Sequence, residues 1–90
     1  MTRAVVDPEE LRRFASDLKR FNGELRGEIT SLHHRFVKLA ETWQDQEQAK
    51  FAELFEQMIR MLSKFADAAD KHAPLLLRKA ERIQEYLNQK

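Results

Sequence analysis

The chain has 90 residues, 16 of them Lys or Arg and 15 Asp or Glu, for a formal net charge of +1. That length holds one small domain, and the balanced charge lacks the concentrated basic surface that nucleic acid or an anionic membrane would require of a main partner. The absence of cysteine excludes disulfides and Cys-based zinc sites.

Two glycines, two prolines and no low-complexity segment mark the chain as ordered. The opening "MTRAVVDPEE" turns acidic before any apolar core of useful length, so no secretory signal peptide is expected there. The longest apolar run, Ala73 to Leu77, is far short of a membrane span, and no membrane insertion is expected. The expected site of synthesis is the cytoplasm, and any export would proceed without a cleaved signal.

The first element starts cleanly. Asp7 is a good N-cap, Pro8 suits the first helical position, and Glu10 stands in the capping-box position. Glu9 and Glu10 oppose the positive end of the helix dipole. Apolar residues then recur at Leu11, Phe14, Leu18, Phe21, Leu25, Ile29, Leu32, Phe36, Leu39 and Trp43, in steps of three or four that fit a helix and no strand. Gly23 and Gly27 fall off this stripe and cost about 1 kcal/mol each relative to Ala in a helix interior. The spacing predicts a helix over 8–42.

Trp43, the only tryptophan, sits among Glu41, Thr42, Gln44, Asp45, Gln46, Glu47 and Gln48. The polar cluster reads as a turn over 43–46, with Trp43 as the last knob of the first stripe. Asp45 is the N-cap of a second helix and Gln48 lies in its capping-box position.

The second helix, expected over 47–88, carries Ala52, Phe55, Ile59, Leu62, Ala66, Ala69, Ala73, Leu76, Ala80, Ile83 and Leu87 as a sustained heptad, the spacing of helices that pack at a shallow angle. Pro74 interrupts it, and a kink is expected near residues 70–73; the alternative is a separate third helix opened by Pro74. The fold class is all-α: an antiparallel two-helix hairpin in a single domain, residues 1–90.

Such a hairpin has one internal seam, and the second helix carries more apolar surface than one seam covers. Phe51, Met58 and Phe65 recur every seven residues beside the stripe, and Leu54, Met61, Ala68 and Leu75 recur every seven beyond them. In the first helix, Val37 and Ala40 flank Phe36 and Leu39. A fully buried Leu, Met or Phe is worth about 1.5–3 kcal/mol, so leaving these in water would forfeit several such contributions and create a large sticky patch. Dimerisation of the turn-proximal halves into a four-helix bundle is therefore expected, with Phe36, Val37, Phe51, Leu54, Met58, Met61 and Phe65 at the dimer or partner interface. The alternative is a monomer in which a third helix covers the patch.

Chemistry is sparse. His33 and His34 are adjacent and point in different directions on a helix, and His72 lies far from both. No Glu-x-x-His or His-Glu-x-x-His spacing exists for a metal, no Gly-rich loop for a phosphate, and no base stands positioned by Ser16, Ser31 or Ser63. No catalytic residue, metal or cofactor is expected, and the chain reads as a non-enzymatic interaction protein.

The length, the two-helix layout, Trp43-Gln44-Asp45 at the turn and Tyr86 near the C-terminus resemble the WXG100 (ESAT-6-like) family of bacterial proteins. The resemblance implies a helical hairpin that forms antiparallel dimers and leaves the cell through a type VII (ESX-like) secretion system, often as a partner of other substrates. It implies a homodimer, or a heterodimer with a paralogue, and a larger secreted effector as a further partner. Trp43, Asp45 and Tyr86 would form the turn and recognition motif. Two positions depart from the pattern. The family's turn glycine is Asp45 here, a residue that tolerates a left-handed conformation and also caps helices. The acid of the family's Tyr-x-x-x-Asp/Glu signal is replaced by Lys90. The competing reading is a cytosolic dimeric adaptor or chaperone that offers its Phe/Met face to an amphipathic helix of another protein.

Overall fold

A computed structural model describes residues 6–89. Two helices, α1 (Pro8–Leu39) and α2 (Gln46–Leu87), pack antiparallel into a rod of 69 × 27 × 16 Å. No strand occurs among the described residues, so the all-α hairpin expected from the periodicity is the fold found. The Asp7 carboxylate accepts the Glu9 N–H at 3.0 Å and starts α1.

α1 closes at Leu39, three residues before the expected 42. The Glu41 N–H donates to the Lys38 carbonyl at 3.1 Å and the Thr42 N–H to the Leu39 carbonyl at 3.1 Å. These tightened bonds satisfy the last carbonyls of α1 without a left-handed residue. Asp45 is likewise not left-handed: its φ of −98° and ψ of −174° are extended. No described residue has positive φ. Asp45 works as a cap, its carboxylate accepting the Gln48 N–H at 2.9 Å, which is why this turn dispenses with glycine.

α2 runs through Pro74 as one helix, and the separate third helix does not form. Pro74 is exposed, while Ala73 and Ala80 on either side of it are buried against α1. The ring therefore breaks one backbone bond on the solvent side and leaves the packed side whole.

The fully buried positions of the seam are mostly small side chains. Ala15 and Asn22 of α1 and Phe55, Ala66, Ala69, Ala73 and Ala80 of α2 are buried. Most of the α2 heptad stripe faces α1 as its spacing predicts, but Leu62 and Leu87 stand exposed at its margin. The α1 stripe splits: Leu11, Leu18, Leu25, Ile29, Phe36 and Trp43 line the seam, whereas Phe14, Phe21, Leu32 and Leu39 stand about half exposed along one edge. Alanines on α2 draw the helices together over Ala15 and Asn22, and the longer side chains are displaced to the side.

A polar clamp fixes the register. Asn22, 1% exposed, donates through Nδ2 to the Ala66 carbonyl at 2.8 Å and to Asp70 Oδ1 at 3.0 Å. Arg26 reaches Asp70 Oδ2 at 2.6 Å and Asp67 Oδ1 at 3.0 Å. The Asn22 amide, and then Arg26, hold the Asp70 carboxyl below the usual carboxylate range. A depressed carboxyl stabilises the folded state above its unfolded pKa and loses that contribution as pH falls through the folded value. Asp70 is half exposed, so the effect is modest. Asp70→Asn is expected to shrink the difference in urea midpoint between neutral and strongly acid pH; an unchanged difference would show that Asp70 carries none of it.

Candidate partner-binding face

The turn end is an aromatic cluster. The Phe36 ring lies 4.8 Å from Phe55 and 5.6 Å from Phe51, and Phe51 lies 5.9 Å from Phe55. The His33 ring stacks on Phe55 at 6.2 Å and the Trp43 ring lies 6.4 Å from Phe51. Offset and tilted aromatic contacts at these separations add about 0.5–1.5 kcal/mol per pair beyond area burial. Trp43 thus sits in a polar stretch because that stretch is the turn, and its ring folds back onto the first turns of α2.

From this cluster an apolar face runs down one side of the hairpin. Phe51, Leu54, Met58, Met61 and Phe65 of α2 are all exposed, Met61 at 69%. The α1 side of the same face carries Phe14, Phe21, Leu32 and Leu39, as the edge-on contact of the Phe21 and Phe65 rings at 6.5 Å shows. These four residues belonged to the internal stripe on spacing alone, and their place on the open face is what sequence reasoning missed. An apolar groove of about 250 Å³ opens on the face, lined by Leu32, Arg35, Phe36, Leu39, Phe51 and Phe55.

Val37 does not join this face. It follows His33 by four residues and Arg26 by eleven, which sets all three on one line of α1. That line pairs with acids of α2: His33 Nε2 lies 3.2 Å from Glu56 Oε2, and Arg26 holds Asp67 and Asp70. Val37 is exposed on this polar side, opposite Met58 and Phe65. Phe36 is half-buried within the aromatic cluster and supports the face from beneath.

Tyr86 is 73% exposed near the C-terminal end of α2. About 40 residues of helix at 1.5 Å each separate it from Asp45, so Tyr86 and Trp43 stand at opposite ends of the rod. Lys90 lies outside the described residues. No described helix is long and apolar enough to cross a membrane.

The features define a class: a small helical hairpin with an alanine-rich seam and its larger apolar side chains turned outward on one face. The chain belongs to the WXG100 family, "Proteins of 100 residues with WXG", whose sequence profile matches residues 5–86. Its fold is similar to that of a secreted protein, ESXB, of Bacillus anthracis strain Sterne, at 27% identity and a TM-score of 0.75, covering 98% of this chain and all of that one. A proline-to-alanine variant of the same protein aligns with a TM-score of 0.81 at 27% identity, over 96% of this chain and all of that one. No curated protein sequence matches the chain.

Proposed function

We propose that the protein is a type VII (ESX-like) secretion substrate or co-secreted partner whose apolar face is covered by a second helical hairpin, completing a four-helix bundle. The observation that carries this reading is the inverted distribution of side chains: alanines fill the seam while Phe51, Leu54, Met58, Met61 and Phe65 face outward. A folded soluble protein rarely leaves so large a contiguous patch in water without using it. Kinship with a secreted protein supports the secretion half of the reading.

Trp43 and Tyr86 act as recognition elements. In an antiparallel bundle the turn of one subunit lies at the open end of the other, which would bring Trp43 of one chain and Tyr86 of the next to the same end. Export is tested by following the protein in culture supernatant with the secretion machinery intact and disrupted. Appearance only with intact machinery supports the reading; retention in the cells in both cases favours a cytosolic adaptor that binds an amphipathic helix. Trp43→Ala is expected to keep the hairpin and to depress export or partner binding. If dimerisation, partner binding and export are all unchanged, Trp43 is only a space-filler of the aromatic cluster.

A further inference from the structure

Resting on the reading that a second hairpin covers the open face, we infer that a second copy of this chain covers it with both turns at the same end. The acidic edge of α1 in each copy then lies on the basic edge of α2 in the other. Glu10, Asp17 and Glu24 recur every seven residues on α1, and each stands three or four residues from Phe14 or Phe21, so this row borders the open face. Lys64, Lys71 and Arg78 recur every seven on α2 and stand in the same relation to Met61, Ala68 and Leu75. All of these charged side chains are exposed. Only Asp17 has an ion-pair partner among the described residues, Arg20 one turn away at 2.8 Å.

The two rows are in register. Asn22 donates to the Ala66 carbonyl, which sets residue 22 of α1 level with residue 66 of α2, and the His33–Glu56 contact gives the same register within one residue. Counting from there along the antiparallel helices, Glu24 is level with Lys64, Asp17 with Lys71 and Glu10 with Arg78. Within one hairpin these rows lie on opposite outer edges and do not meet. A two-fold axis parallel to the rod exchanges the edges without changing the level, so each acid meets its base and symmetry repeats every pair. The apolar rows agree: Phe14 falls beside Leu75 of the other copy, Phe21 beside Ala68 and Leu32 beside Met58. Nearer the turn Lys38 is level with Lys50, and Glu47, three residues on, offsets part of that repulsion. A copy reversed end to end would instead lay α1 on α1 and α2 on α2. At mid-rod it sets Glu24 against Glu24 and Lys64 against Lys64, with Arg78 against Lys50. The reversed bundle that brings Trp43 to Tyr86 therefore takes a hairpin of different sequence.

The chain has no cysteine, so Gln46→Cys beside the turn takes a single nitroxide label. Double electron–electron resonance on the dimer is expected to give a label separation near the 27 Å breadth of the rod, whereas a reversed dimer would give most of its 69 Å length. In sedimentation equilibrium at low salt, Glu24→Lys is expected to weaken self-association about tenfold, because lysine then meets lysine at both edges. Adding Lys64→Glu to the same chain restores opposite charges and is expected to regain wild-type affinity, which also shows that the variants fold. High salt should narrow the gap. In a reversed dimer Glu24→Lys would relieve acid on acid and tighten association instead. A long label separation, or a Glu24→Lys dimer as tight as wild type, overturns this orientation while leaving the covered face intact. A wild type that stays monomeric overturns the second copy as occupant, and leaves the secretion reading to the supernatant assay.

Discussion

Met61→Glu combined with Phe65→Glu is expected to abolish self-association while leaving the helix content of the chain nearly unchanged. Within one hairpin both positions are open to water, Met61 at 69% and Phe65 at 49%, so a carboxylate there costs little in the isolated chain. Covered by a partner, each would be an unpaired charge in an apolar interface, which costs several kcal/mol and moves the dissociation constant by about a hundredfold or more. Sedimentation equilibrium over a wide concentration range measures the shift, with circular dichroism as the check on folding. A double variant that still dimerises like wild type would place the partner elsewhere. The same pair of changes on the polar side, at Val37 and Thr30, is expected to have little effect, since those positions lie beside the His33–Glu56 and Arg26–Asp67 pairs rather than on the open face.

Phe55→Ala is expected to be the most destabilising single substitution in the chain. Among the described residues Phe55 is the only large apolar side chain in the buried core, at 5% exposure, and its ring contacts Phe36, Phe51 and His33 together. Removing a buried phenyl ring costs about 3–5 kcal/mol through lost burial and the cavity left behind. That is a large share of the 5–15 kcal/mol that stabilises an ordinary domain, and this hairpin buries little else than alanine. Urea denaturation should show a clear loss of midpoint with little change in slope. Phe14→Ala, at an exposed position, serves as the contrast and should barely move the midpoint of the dissociated chain. Equal losses at the two sites would mean that the aromatic cluster is not the stabilising centre.

The face was legible to an unequal degree. Phe51, Met58 and Phe65, with Leu54 and Met61, were readable because α2 carries two extra heptad rows beyond its own seam, and an excess of apolar arc has no local explanation. Their α1 counterparts were not, because Phe14, Phe21, Leu32 and Leu39 keep the same three-and-four spacing as the true seam residues. Val37 shows the reverse case: an apolar residue beside the stripe belongs to either flank until the rotation of the helix is known. Asn22 gave a faint signal, since it stands seven residues from both Ala15 and Ile29 in a row that is otherwise apolar, yet a polar residue in such a row reads as an interruption rather than as a buried centre.

The sequence by itself determined the two helices, the place of the turn, the caps at Asp7 and Asp45 and the surplus of apolar surface. Each of these rests on interactions within about one helical turn or on a count of residue types, and such information is local. Only the tertiary structure decided which residues meet across the seam. That choice depends on how far each helix is rotated toward the other, and the rotation is set by the closeness that Ala66, Ala69, Ala73 and Ala80 permit and by the hydrogen bonds of Asn22 and Arg26 to partners more than 40 positions away. The passage of α2 through Pro74 was settled in the same way, by burial of Ala73 and Ala80 on the side of the helix that the proline ring does not touch.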